Sequence, residues 1–118
     1  MANTVIDESI LNSIKKLLGI NTTETVFDQD IALHINSVFA NLVQMGVGPS
    51  SGYMINNADN KWSEFCCDDL LLLNNVKTYM YLKVKLVFDP PQSSALLEAM
   101  NSQIKEIEWR MYVQKGGY

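Results

Sequence analysis

At 118 residues the chain is long enough for one hydrophobic core and short for two. A hydrophobic share of 47% with 19% charged residues excludes wholesale disorder, and three Pro and six Gly exclude a collagen-like or linker-like tract. Nine Lys+Arg against thirteen Asp+Glu leave a net charge of -4, the wrong sign for gripping DNA or an anionic membrane by general electrostatics. Met1 to Glu8 has neither the basic start nor the apolar core of a signal peptide. No stretch reaches the about 18 consecutive apolar residues of a membrane span. Cys66 and Cys67 are adjacent, a spacing that strains a disulfide, and with a single His they form no recognisable zinc set. The expectation is a protein made in a reducing cytoplasm.

The first helix is expected from Val5 to Leu18, where Ile6, Ile10, Ile14, Leu17 and Leu18 share one face. Lys15 and Lys16 suit the negative end of its dipole, and Gly19 is its stop. A Thr-rich link leads to a second helix over Asp28 to Met45, with Asp28 as the expected N-cap. Ile31, Ile35, Val38, Phe39, Leu42 and Met45 form its apolar stripe, and Gly46 ends it. Val47 to Lys61 has no helical period and two turn clusters, Gly48 to Gly52 and Asn56 to Asn60. It reads as a long loop or a small hairpin, with Tyr53-Met54-Ile55 as a possible short strand. Loops of this length are usually functional or disordered.

Trp62 to Phe65 is expected to be a short anchoring turn. In the third helix, Asp68 to Phe88, two periods compete. Tyr79 to Leu86 alternates like a strand, but Leu73, Val76, Met80, Val84 and Val87 keep helical spacing. About twenty residues without Gly or Pro is too long for a strand. Asp89-Pro90-Pro91 stops this helix. A last helix, Ser93 to Val113, carries Leu97, Met100, Ile104, Ile107 and Met111 at steps of three and four and a Glu106–Arg110 pair. Gln114 to Tyr118 forms a loose tail. The fold class is therefore all-α: an antiparallel bundle of about four helices, with a long loop or small hairpin between helices 2 and 3. Trp62, Phe65, Phe88 and Trp109 are assigned to core packing.

Candidate chemistry is sparse. His34 has no nucleophile or carboxylate set placed by spacing; Asp30 is simply its neighbour one turn back. Asp59, Glu64, Asp68 and Asp69 cluster but lack calcium-loop grammar, so capping accounts for them better. Glu106 and Glu108 occupy different helix faces. Lys77, Lys83 and Lys85 interleave with Tyr79 and Tyr81, a weak version of a nucleic-acid platform. No catalytic, metal or cofactor residues are assigned. One feature resists a bland account: from Ile31 to Ala58, 28 residues carry no Lys, Arg, Asp or Glu. Polarity without charge is typical of the core of a protein–protein interface. Ile31, Asn36, Ser37, Asn41 and Gln44 are therefore expected to touch a neighbouring chain.

The order of these elements is familiar. Ile14-Lys15-Lys16-Leu17-Leu18-Gly19-Ile20 closes the first helix and Met45-Gly46-Val47 the second. A variable loop ends at Trp62-Ser63-Glu64-Phe65. Tyr81 to Pro91 and then Ile107-Glu108-Trp109-Arg110 finish the pattern. The chain resembles the head–tail connector (adaptor) proteins of long-tailed bacteriophages over nearly its whole length, although Met111 stands where the family usually has Leu. The resemblance implies one connector domain over 1–118, with a long loop at 46–62 and a tail at 114–118. It implies a non-enzymatic virion neck protein without cofactors, forming a homo-oligomeric ring of twelve subunits beneath the portal. Such a ring extends the DNA channel, lets DNA pass without specific binding and docks a stopper or head-completion protein. Tyr112, Gln114, Lys115 and Tyr118 become candidates for portal contact, and Pro49, Tyr53, Met54 and Ile55 for loop contacts. The rivals are a small helical DNA-binding regulator using Lys77 to Lys85, and a small enzyme using His34 or the acidic cluster.

Overall fold

The computed structural model describes residues 8–65 and 70–114. Five helices appear there: α1 (Ile10–Leu17), α2 (Asp28–Gln44), α3 (Trp62–Phe65), α4 (Leu70–Phe88) and α5 (Ser94–Gln114). No strand occurs among the described residues; Ser9 and Lys61 form one isolated antiparallel bridge. The architecture is a small helical bundle in which α4 packs against α2 on one side and α5 on the other, with α1 closing on α2 and α4. The anchoring turn expected at Trp62 to Phe65 is the one-turn α3. Cys66, Cys67, Asp68 and Asp69, and Val5 and Ile6 of the expected first helix, lie outside the described residues.

Each boundary has a local cause. Ser9 caps α1, its hydroxyl accepting from the Asn12 backbone at 3.2 Å, which starts the helix later than periodicity suggests. Gly19 and Gly46 follow α1 and α2 with φ of 84° and 88°, a geometry that L side chains adopt only with strain. Asp28 is not the cap of α2. Phe27 holds that position without a side-chain bond, and the Asp28 carboxylate turns instead to Lys15. Lys15, placed by the sequence at the dipole end of the helix, is only 1% exposed. Its ammonium reaches the carbonyls of Thr22 and Glu24 at 3.2 and 2.6 Å and Asp28 Oδ1 at 2.8 Å, so one side chain folds the Thr-rich link back onto α1. A buried ammonium needs acceptors and a counter-charge more than the helix end needs a cap.

The core joins Ile10, Ile14, Ile31, Ile35, Leu42, Leu73, Val76, Met80, Ile104 and Met111, with an aromatic cluster at one edge. There Phe39 meets Phe65, Tyr53 and Trp62 at centroid separations of 4.5, 5.0 and 6.2 Å. Trp62 donates its indole N–H to Ser13 Oγ at 2.9 Å. Phe88 is half-buried and stacks edge-on with Phe27. Trp109 departs from the core assignment: it is 62% exposed. Leu17, Val87 and Leu97 also face outward, because the stripes of α1, α4 and α5 are longer than the neighbours that cover them.

The 47–61 segment is neither strand nor hairpin. Ile55 is buried, and both its backbone groups are taken by one side chain: Asn36 Oδ1 accepts from the Ile55 N–H at 2.7 Å and Asn36 Nδ2 donates to its carbonyl at 3.1 Å. An asparagine thus stands where a partner strand would be. Val47 is buried beside it, and Gly48, at φ +97°, lies against the Phe65 ring so closely that a Cβ would collide with it. Gly48→Ala should cost about 2–4 kcal/mol, from left-handed strain plus overpacking. Gly52→Ala, at φ +94° but with open space, should cost about 1 kcal/mol, and urea unfolding separates the two. Lys15→Met should cost about 2–4 kcal/mol in the same assay, because the Asp28 carboxylate and two carbonyls lose their buried partner.

Candidate functional site

The α2 residues expected at an interface divide into two groups. Ile31 is 0% exposed and belongs to the core, so it has no surface to offer a neighbour. Asn36 and Asn41 sit on the shoulders of the helix with internal work. Asn36 holds Ile55, and Asn41 Nδ2 donates to the Tyr79 hydroxyl at 2.8 Å. Their lack of charge has an intramolecular cause. Ser37 and Gln44 do face outward, together with Ala40 and Leu33. The Ser37 hydroxyl is turned to the Leu33 carbonyl at 3.2 Å, and Leu33 is 64% exposed. Shallow grooves run along both sides of this strip, each reaching Ala40. One lies against His34, Lys83 and Val87 of the α2–α4 seam, the other against Tyr53 and Met54 of the loop.

The loop candidates divide similarly. Met54 projects into solvent and Pro49 is half-covered. Ile55 is buried, which corrects its assignment as a contact. Tyr53 packs on Phe39 and Phe65 and donates its hydroxyl to Glu64 at 2.8 Å. Burial and this carboxylate push its phenol well above the ordinary 10.0. The hydrogen bonds from Asn60 and Tyr53 hold Glu64 below the usual carboxylate range.

Tyr79 forms the polar bridge of the bundle. Its buried hydroxyl receives the Asn41 amide and donates to Glu108 Oε2 at 2.9 Å, joining α2, α4 and α5 at one level. Burial, then the Glu108 carboxylate, pushes this phenol well above 10.0. Lysines and tyrosines of α4 do not line up as a nucleic-acid platform. Lys77 pairs with Glu8 at 2.8 Å and lies over the Trp62 ring, Lys83 lies over the Tyr79 ring, and Lys85 reaches Asp89 at 3.4 Å. Asp59 belongs to a loop turn and Glu64 to α3, and no group of three or more His, Cys, Asp or Glu able to hold a metal occurs among the described residues. Glu106 pairs with Arg110 at 2.9 Å. No described helix is long and apolar enough to cross a membrane.

At the α4–α5 end, sequence reasoning singled out Tyr112 and Gln114 but missed the exposure of Trp109, Leu70, Leu71 and Val113. Leu70, Leu71, Trp109, Tyr112 and Val113 are all exposed, and Leu71, Trp109 and Val113 line an open groove of about 410 Å³. Trp109 and Tyr112 stack loosely with centroids 5.6 Å apart. Gln114 accepts from Asn75 at 2.8 Å, while Lys115 and Tyr118 lie outside the described residues. The signal was available: apolar residues at 109, 112 and 113 fall off the stripe that ends at Met111.

The described residues form a small helical bundle whose outward faces include an uncharged strip on α2 and exposed apolar residues at the α4–α5 end. A family model described as "Phage connector protein" matches residues 10–118, and the chain belongs to that family. Neither the curated proteins nor the solved structures include a match. It is accordingly a structural phage protein, a component of the virion connector.

The Tyr79 bridge gives a pH test with a definite sign. The folded phenol keeps its proton to higher pH than the unfolded one, so its contribution is complete below pH 10 and is lost above it as the unfolded chain ionises. Tyr79→Phe should lose about 1–2 kcal/mol at pH 7. Its stability should then fall less steeply than wild type between pH 10 and 12 in thermal melts.

Proposed function

We propose that this subunit assembles laterally into a ring beneath the portal, twelve copies around an extended DNA channel, and docks a stopper or head-completion protein below. The observation that carries the reading is the outward strip of α2. Leu33, Ser37, Ala40 and Gln44 present a surface without charge about three turns long, inside a stretch of 28 residues that has none. A solvated helix face in a chain with 19% charged residues would ordinarily carry some, whereas the core of an interface is depleted of them. Asn36 and Asn41 frame that strip rather than forming it.

The net charge fits a conduit. At -4 per copy, a ring repels phosphate instead of trapping it, which suits DNA that must pass through. The C-terminal end of α5, with Tyr112 and Gln114 exposed and Lys115 and Tyr118 following, is proposed to face the portal, and Pro49, Tyr53 and Met54 to supply loop contacts toward the stopper. The loop is pinned by Asn36 and the Phe39 cluster, which favours a preformed contact surface over one built at assembly.

Native mass measurement of the full chain, alone and with the portal protein of the same phage, tests the reading. A closed ring in either condition is expected. Gln44→Lys and Ser37→Lys, both on the exposed strip, should reduce ring assembly at least tenfold while leaving the melting temperature within about 2 °C. Persistently monomeric wild-type protein in both conditions would refute the proposal. Unchanged assembly of both variants would refute the α2 seam.

A further inference from the structure

A ring built from one kind of subunit needs two different, complementary faces on each copy, because its contacts are heterologous. The α2 strip supplies one, on the reading given above, on which this inference rests. We infer that the other is the apolar patch of the α4–α5 end, and that Trp109 of one copy seats on the Ala40 strip of the next.

Three observations point this way. First, the patch is out of place on a free surface. Trp109 is 62%, Leu71 75% and Val113 50% exposed, and all three line one groove. Contiguous apolar area of this kind marks an interaction site, and Trp, Tyr and Arg are the residues that dominate such sites. Arg110 borders the groove beside Trp109.

Second, the patch and the strip lie on opposite flanks. α4 stands between α2 and α5. Glu108 points to Tyr79 on the α2 side. Arg110, about 200° further round the helix, lines the groove on the other side with Trp109 and Val113. One flank therefore meets the other flank of a neighbour, as ring closure requires.

Third, chemistry and height match. Burying an indole and several aliphatic groups is least costly against a surface with no charge to desolvate. The outward α2 residues Leu33, Ser37, Ala40 and Gln44 meet that condition, with the small Ala40 between two grooves; the one charge bordering them, Lys83 of α4, lies over the Tyr79 ring. The Tyr79 hydroxyl binds Asn41 and Glu108 together, so these two residues share one level, and Ala40 and Trp109 are their immediate chain neighbours. Copies related by a ring axis running along the helices keep that level, which brings Trp109 opposite Ala40.

The test replaces Trp109 with the photo-crosslinker p-benzoylphenylalanine in the full chain and irradiates it alone and assembled on the portal. The expected product is a covalent dimer whose linked peptide lies within 33–44 of a second copy. Trp109→Lys and Ala40→Lys should each reduce ring assembly at least tenfold with unchanged helicity and melting temperature. A ring that forms normally with Trp109→Lys, or crosslinks that map to the portal or to α5 of the second copy, would overturn this pairing and leave the ring itself standing. Absence of any wild-type ring would overturn both.

Discussion

The bundle depends on the burial of α4. Its Leu72, Leu73, Val76, Tyr79, Met80, Leu82 and Val84 are all buried, an arc covering about 200° of the helix. A helix covered this broadly cannot rest on one partner, so α2 and α5 must both be in place, with α1 closing the remaining side. The same breadth explains why the segment reads ambiguously in one dimension. When most positions are apolar, a period of two and a period near four fit almost equally well, and only length favours the helix.

Polar side chains then do the work that backbone pairing does elsewhere. Lys15 gathers the link between α1 and α2, Asn36 holds the loop at Ile55, and Tyr79 ties α2 and α5 to the hub. Each satisfies groups that would otherwise be buried without a partner. Two of the asparagines that make α2 uncharged are explained in this way. What is left facing outward, Leu33, Ser37, Ala40 and Gln44, is narrower than the uncharged run.

Function in a protein of this kind resides in how its surfaces are distributed. The described grooves are shallow and open, and Lys77, Lys83 and Lys85 of α4 and Tyr53 of the loop are engaged with neighbours. Membership of the phage connector family places the chain in the virion connector. The outward face of α2 is neutral and the exposed residues of the α4–α5 end are largely apolar, with the core between them.

Much of this was legible in the order of residues. Helix identity, the stops at Gly19 and Gly46, the Asp89-Pro90-Pro91 break and the core stripe of α2 follow from local sterics and periodicity, which act over a few residues. The family resemblance lay in spaced motifs and needed no geometry. The burial of Lys15 and Ile55, the exposure of Trp109 and the employment of Asn36 and Asn41 were decided only by the tertiary structure. The partners of Asn36 and Asn41 lie 19 and 38 residues along the chain, and periodicity carries no information about which group from another element will arrive beside a given face.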